Sequence, residues 1–470
     1  MRRFLLLAAA LLLPAKVIAQ PGVAPLSLDE VLRSSATHSP QIVEALARVR
    51  SAEGRELSAA GAFDTVFQGE ARSRLSGYYD GSVVESRLSR PLSNNGGEAY
   101  AAYRLSRGAF PVYEDRNYTN RRGEVKIGAT FALMRDRLID ERRARLGLAA
   151  ADVDIARFEG ELVAIGVQSR ALQAYQAWVA AGLRLATYRS LLDLAVQRRS
   201  SIGRQVALGA QPRILETENE QNIVRRRALV VRTELELATA ANTLSLYYRD
   251  ANGTPIVPDS ARLPDALPAI PRAPRTAGAM DLPDRPDFNT IMARIGQAED
   301  RLMLAENELR PKVDVFAEGA RDLGPIGLGG PSREGTDAIA GVRFSVPLQR
   351  RVARGKVAEV RAEIDALQSR RRMLVDQVTA DVNAIVVAVD AAARLVTLAS
   401  EEADLAERMA QAERRRFGLG ASDFLIVNLR EEAAADARIR LLDADYRLAT
   451  ARADYVSITV NREALRLPAL

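Results

Sequence analysis

The 470-residue chain has no cysteine. Disulfides, thiolate metal sites and a cysteine nucleophile are therefore excluded, as is a lipid anchor on an N-terminal cysteine. Stability has to come from packing and assembly. There is one histidine, His38, and seven methionines, which gives no support to a metal-specific site. Aromatic residues are 5% of the chain, few for a sandwich of many strands. Lysine is also scarce. Of 66 basic residues only four are Lys, and the remainder are Arg interspersed with 60 acids. Net charge is +6, laced in two signs rather than gathered into a nucleic-acid stripe, so no nucleic-acid partner is expected. No nucleophile elbow, phosphate loop or metal-spaced cluster stands out. His38 sits in Thr37-His38-Ser39-Pro40 at a helix bend and reads as a surface or capping residue. No catalytic residue, cofactor or metal is expected.

Long apolar runs are lacking too. Past the N-terminus no stretch comes near 18 uncharged apolar residues, so no transmembrane helix is expected. The N-terminus itself has Arg2-Arg3, then the ten-residue run Phe4 to Leu13, then Val17-Ile18-Ala19. That order is a secretory signal peptide, residues 1–19, with cleavage expected after Ala19.

What the chain does have is a repeat. Pro40-Gln41-Ile42 leading to Ala52-Glu53-Gly54-Arg55 matches Pro286-Asp287-Phe288 leading to Ala298-Glu299-Asp300-Arg301. Val66-Phe67 matches Val315-Phe316, Gly128-Ala129-Thr130-Phe131 matches Gly341-Val342-Arg343-Phe344, and Leu208-Gly209-Ala210 matches Leu419-Gly420-Ala421. The order is kept, which means a duplicated unit. The first copy, 20–254, carries an extra loop or hairpin at 73–122. The second copy is 287–470. Between them lies a linker, 255–286, with eight prolines, which cannot be helix or central strand.

Each unit reads helix, strand, strand, very long helix, tight turn, return helix. Helices are expected at 27–60, 138–203 and 211–248, then at 287–310, 350–416 and 422–464. Strands are expected near 63–72 and 124–133, and near 312–321 and 338–347. In the long helices, series such as Ile155, Phe158, Leu162, Ile165 and Val357, Val360, Ile364, Leu367 step by threes and fours, a coiled-coil seam. A helix of this length is a rod of roughly 100 Å. The summed lengths suggest two short helices stacked end to end beside each long one.

In 124–133, Val125, Ile127, Ala129, Phe131 and Leu133 alternate with Glu124, Lys126, Gly128, Thr130 and Ala132. Ala338, Ala340, Val342, Phe344 and Val346 oppose Gly341, Arg343 and Ser345. Phe63, Thr65 and Phe67 oppose Asp64, Gln68, Glu70 and Arg72. One apolar face over about ten residues suits a membrane barrel strand. Four strands cannot close a barrel, whereas three chains supply twelve, so a homotrimer is expected. The extra stretch holds Tyr78, Tyr79, Tyr100, Tyr103, Tyr113 and Tyr118 and the turn signal Asn94-Asn95-Gly96-Gly97. Val83 to Leu92 and Ala99 to Leu105 read either as a further hairpin or as part of a plain surface insertion.

The duplicated unit resembles the TolC family of outer-membrane efflux and secretion channels. Arg285-Pro286-Asp287 is similar to the family's opening of copy two, and Phe344-Ser345-Val346-Pro347-Leu348 to its strand-ending Val-Pro-Leu. Arg416-Phe417-Gly418-Leu419-Gly420-Ala421-Ser422-Asp423 resembles the turn at the periplasmic tip. The resemblance implies a mainly α fold with a small β part. A trimeric α-barrel forms a periplasmic tunnel below a shared 12-stranded β-barrel in outer-membrane lipid. It implies a passive duct of a tripartite efflux or type I secretion system, docking to a periplasmic adaptor (membrane fusion) protein and an inner-membrane pump.

The docking residues expected at the two turns are Leu208, Gly209, Ala210 and Pro212, and Gly418, Leu419, Gly420 and Ser422. The family often places Asp on the return helix at a constriction, where this chain has Asn428, so Asp423 or Glu431 is a candidate for the periplasmic mouth. The alternative reading is a periplasmic coiled-coil adaptor or scaffold without a barrel.

Overall fold

A computed structural model describes residues 24–272, 282–327 and 334–468. The proposed signal peptide lies outside the described residues, as does part of the Pro-rich linker.

The single helix expected at 27–60 is two, α1 (Leu28–His38) and α2 (Pro40–Ala60). The break falls where Pro40 has no N–H to continue the helix. Ser39 turns extended there, with ψ 124°, and Pro40 takes the N1 position where a missing donor costs nothing. The first strand also starts later than expected. Gly61–Phe63 is a 3-10 turn, so Phe63 is not on the strand, and β1 is Val66–Ser73.

The remaining elements are β2 (Ser82–Pro91), β3 (Glu98–Arg107), β4 (Glu124–Ala132), α3 (Glu141–Ala207) and α4 (Ile214–Ser245). Then come α5 (Pro286–Asn307), β5 (Lys312–Asp322), β6 (Thr336–Ser345), α6 (Arg351–Gly418) and α7 (Phe424–Ile458). The long helices α3 and α6 have 67 and 68 residues.

The described residues form two compact units, and each draws on both halves of the sequence. The first takes 35–170, 270–393 and 451–470 and contains the sheet. There α2 runs against α3 through Arg157–Glu53 at 3.3 Å and Arg170–Gln41 at 2.8 Å. Helix α5 runs antiparallel to α6 through Lys356–Glu308, Arg361–Glu306 and Arg301–Glu363, at 2.7, 2.9 and 2.9 Å. Pro286 at N1 starts α5. Arg285, just before it, pairs with Asp287 at 2.6 Å and donates to the carbonyl of Ile458, at the last turn of α7. A guanidinium on orphaned C-terminal carbonyls is favourable, which gives the Arg-Pro-Asp triplet its structural reason.

The second unit takes 171–269 and 394–450 with the chain up to Ser34. Trp178 and Val179 are fully buried among Leu26, Val31, Leu237 and Leu244. The start of the chain is tied down by Tyr175, whose hydroxyl donates to the Leu26 carbonyl at 2.6 Å, and by Leu26 N–H to Arg262 O at 2.8 Å. Arg262, on the Pro-rich segment, also pairs with Glu30 at 2.7 Å. That guanidinium holds the Glu30 carboxyl below its usual range.

The sheet is one antiparallel meander in the order β1-β2-β3-β4-β5-β6. It has six strands rather than four, because the extra stretch contributes β2 and β3. Along β4, Glu124 sits opposite Arg104 and Asp322, and Ile127 opposite Ala101 and Gly319. Opposed residues share a face. One face carries Phe67, Val84, Leu88, Ala101, Tyr103, Val125, Ile127, Phe131, Val342 and Phe344, and all these large side chains are exposed. The other carries the ion pairs Arg104–Glu124, Arg87–Glu98 at 2.9 Å and Lys126–Glu318 at 2.8 Å. The outermost strands β1 and β6 each have one unpaired edge.

The Ala- and Val-rich part of α6 around Val386 is long and apolar enough, by composition, to cross a membrane, and only 22% of that window is buried. Valine is dense enough there to outweigh the interrupting polar residues. Val387, Leu395, Leu398 and Leu405 on α6 stand 49–69% exposed.

Candidate functional site

Both helix reversals are built the same way. At the first, Gly209 has φ +71°. Its N–H donates to Val206 O at 3.0 Å, and Ala210 N–H donates to Gln205 O at 2.9 Å. At the second, Gly420 has φ +73°. Its N–H donates to Phe417 O at 3.0 Å, and Ala421 N–H donates to Arg416 O at 2.8 Å. This paired closure is the Schellman motif, which satisfies the last helical carbonyls and requires a left-handed residue that only glycine supplies without cost. Leu208 and Leu419, the residues just before each glycine, are both 84% exposed. Space is open around both glycines, so conformation alone selects them. Ala210, Pro212, Gly418 and Leu419 are exposed as well.

The return helices start differently. Pro212 O accepts from Leu215 N–H at 3.2 Å ahead of α4. At the second turn Asp423, exposed, is the cap: its carboxylate accepts from Leu425 N–H at 3.3 Å. Ser422 does not cap. Its hydroxyl donates to Glu413, a buried carboxylate that also holds Arg416 at 3.2 Å. Phe417 and Phe424 meet across the turn with ring centroids 6.3 Å apart.

Asn428 and Glu431 lie inside the unit. They are 5% and 2% exposed and are held within the unit. Arg198 of α3 donates to Asn428 Oδ1 at 2.9 Å and to Glu431 Oε1. Arg226 of α4 donates to Glu431 Oε2 at 3.3 Å, to Asn428 Oδ1 at 3.4 Å and to the Leu191 carbonyl at 2.7 Å. Three helices are thus tied through one carboxylate, at the edge of a cavity of about 460 Å³ between α3, α6 and α7. Burial lowers the pKa of Arg226, and the Glu431 charge opposes that.

Sequence reasoning missed Arg198, Arg226 and Glu413. A signal for Arg226 existed: Asn219, Ile223, Arg226, Val230, Thr233 and Leu237 form one buried stripe at helical spacing. An arginine in the apolar phase of a helix marks a buried ion pair.

Paired glycine-capped reversals, long helices and a two-faced antiparallel sheet are the features by which the chain can be compared with known proteins. Residues 281–458 match the family described as outer membrane efflux protein. No curated protein matches the chain by sequence. The fold is shared with the Campylobacter jejuni CmeC outer membrane channel, at 12% identity and TM-score 0.62, with 97% of this chain and 95% of that one covered. It is shared with the outer membrane protein VceC of Vibrio cholerae, at 14% identity and TM-score 0.62, with 94% and 97% covered. The open-state Neisseria gonorrhoeae MtrE outer membrane channel is similar too, at 15% identity and TM-score 0.63, with 92% and 88% covered.

Proposed function

We propose that three copies of this chain form a passive export duct in the outer membrane, with the helices in the periplasm as a tunnel. A periplasmic adaptor docks at the two glycine turns, and an inner-membrane pump supplies the energy. The observation that carries this reading is the sheet. Its mainly apolar face, charged only towards the strand ends at Arg90, Arg107 and Arg321, fits lipid, its ion-paired face fits an aqueous lumen, and its two open edges need neighbours. Surface area supports assembly. The chain exposes 29079 Å², against roughly 17,000 Å² for a compact monomer of its mass. A periplasmic scaffold, the alternative, leaves the lipid-suited face without a use.

Two turns per chain and three chains give six similar knobs, a ring that a repeated adaptor can grip. Leu208 and Leu419 stand exposed beside the closing hydrogen bonds and take no part in them through their side chains. Replacing both by Asp is expected to abolish export while heat-modifiable trimers persist in the outer-membrane fraction. Export at the parental level would place docking elsewhere. A soluble monomer in fractionation of the parent protein would overturn the duct itself.

A further inference from the structure

The sheet contains a hairpin, β2–β3, that the repeat does not account for. The second copy has only β5 and β6 at the corresponding place. The hairpin is not an appendage above a four-stranded wall. It separates β1 from β4, which have no pairing with each other.

Three observations make it wall. First, the pairing is continuous. Val66 to Ser73 of β1 pairs with β2 along its whole length, β2 and β3 pair from Ser82–Arg107 to Pro91–Glu98, and β3 pairs with β4 from Glu98–Thr130 to Arg104–Glu124. Second, the hairpin has the same two faces as the strands beside it. Val84, Leu88 and Ala101 continue the apolar face, while Glu85, Arg87 and Glu98 continue the charged one.

Third, its turn is locked at the end of the sheet from which the long helix leaves. Asn95 Nδ2 donates to Ala132 O at 3.0 Å, and Asn95 Oδ1 accepts from Ala132 N–H at 2.8 Å. Gly96 N–H donates to Asp136 O at 2.9 Å, and Arg142 of α3 donates to Gly96 O at 3.1 Å. Gly97 lies so close to the backbone that any Cβ there would collide with the Thr130 carbonyl. Close approach, rather than turn conformation, demands that glycine. A hairpin anchored at this end and paired over its full height spans the same layer as β4.

We propose that each chain gives six strands, not four, to the shared barrel, so the trimer closes with eighteen. The partner on each open edge is a second copy of this chain. An even number of strands lets β6 of one copy run antiparallel to β1 of the next. Six strands alone cannot close, since single-chain barrels begin at eight. With strands about 4.8 Å apart and tilted about 40°, eighteen strands give a backbone diameter of about 36 Å, against about 24 Å for twelve. The exit is therefore about half as wide again, while the helical part keeps its count. This inference rests on the trimeric duct proposed above.

The absence of native cysteine makes the test clean. Single cysteines are placed at Leu88 and Ala101 on the apolar face and at Arg87 and Ala102 on the other, in trimers in native outer membrane. With the hairpin in the wall, a membrane-impermeant maleimide is expected to label Arg87→Cys and Ala102→Cys at least tenfold faster than Leu88→Cys and Ala101→Cys. A lipid-soluble maleimide removes that difference. Cryo-electron microscopy of the parent trimer in nanodiscs is expected to show eighteen strands. Equal labelling of all four positions by the impermeant reagent, with twelve strands in the images, overturns the inference and leaves the trimeric duct standing. The absence of any membrane trimer overturns both.

Discussion

Replacing Ile127 by arginine is expected to strip the trimer from the outer membrane. Ile127 is the fourth of nine residues in β4, close to mid-strand. It is 62% exposed on the apolar face, opposite Ala101 and Gly319, and neither neighbour offers a carboxylate or hydroxyl. In water such an exposed isoleucine is unremarkable, and arginine there would be harmless. In lipid, arginine at the midplane costs about 2–4 kcal/mol per chain. Three chains incur it together. The yield of heat-modifiable trimer is expected to fall by tenfold or more. The control is Thr130→Arg, three residues along and on the other face, opposite Glu98. There the new guanidinium meets a carboxylate in the lumen, and yield is expected to stay near the parent's. Equal loss at both positions would reject the assignment of faces.

The second large effect is expected at Glu431. Its carboxylate receives Arg198 on one oxygen and Arg226 on the other, and Arg226 is itself 1% exposed. Glu431→Ala leaves two guanidinium groups facing each other without their counter-charge. Removing one partner of a buried pair costs about 3–5 kcal/mol, because the remaining charge can be neither solvated nor matched. The denaturation midpoint of the solubilised protein is expected to drop accordingly. Adding Arg226→Met to that variant is expected to recover part of the loss, since methionine fills the space without a charge. A Glu431→Ala protein as stable as the parent would show that water reaches the network.

These two positions also show what the sequence made legible. The β4 pattern was readable because Val125, Ile127, Ala129 and Phe131 alternate cleanly with polar or small residues, and strand bounds came within a few residues. Both turns were readable because a glycine followed each long periodic run, a stop signal with a stereochemical cause. The sequence leaves β2 and β3 open between a hairpin and a plain insertion. Ser82, Ser86 and Ser89 fall on both faces, Arg90 sits on the apolar side and Pro91 ends the strand, so alternation alone does not separate wall from insertion. The break before Pro40 was visible only as a bend.

The two acidic candidates for the mouth have different surroundings: Asp423 is exposed at the second turn and Glu431 is buried. Whether a glutamate faces a passage or a core depends on partners from elsewhere in the chain. Here they are arginines more than 200 residues away. Local sequence carries no trace of that pairing except the misplaced phase of Arg226. At the second turn Asp423 caps the return helix, and Ser422 binds Glu413 nine residues upstream.

The open edges of β1 and β6 bear on inheritance. A wall made of identical panels has as many seams as panels, and one warped panel spoils two of them. Suppose a cell makes sound and faulty copies in equal amounts, and the fault lies at an edge strand without blocking mixing. Then only about one trimer in eight is wholly sound by random assortment. Such an allele behaves as a dominant one: adding a second, intact gene restores little. A fault at Glu431 that unfolds the chain before assembly is removed from the pool and behaves as a recessive one.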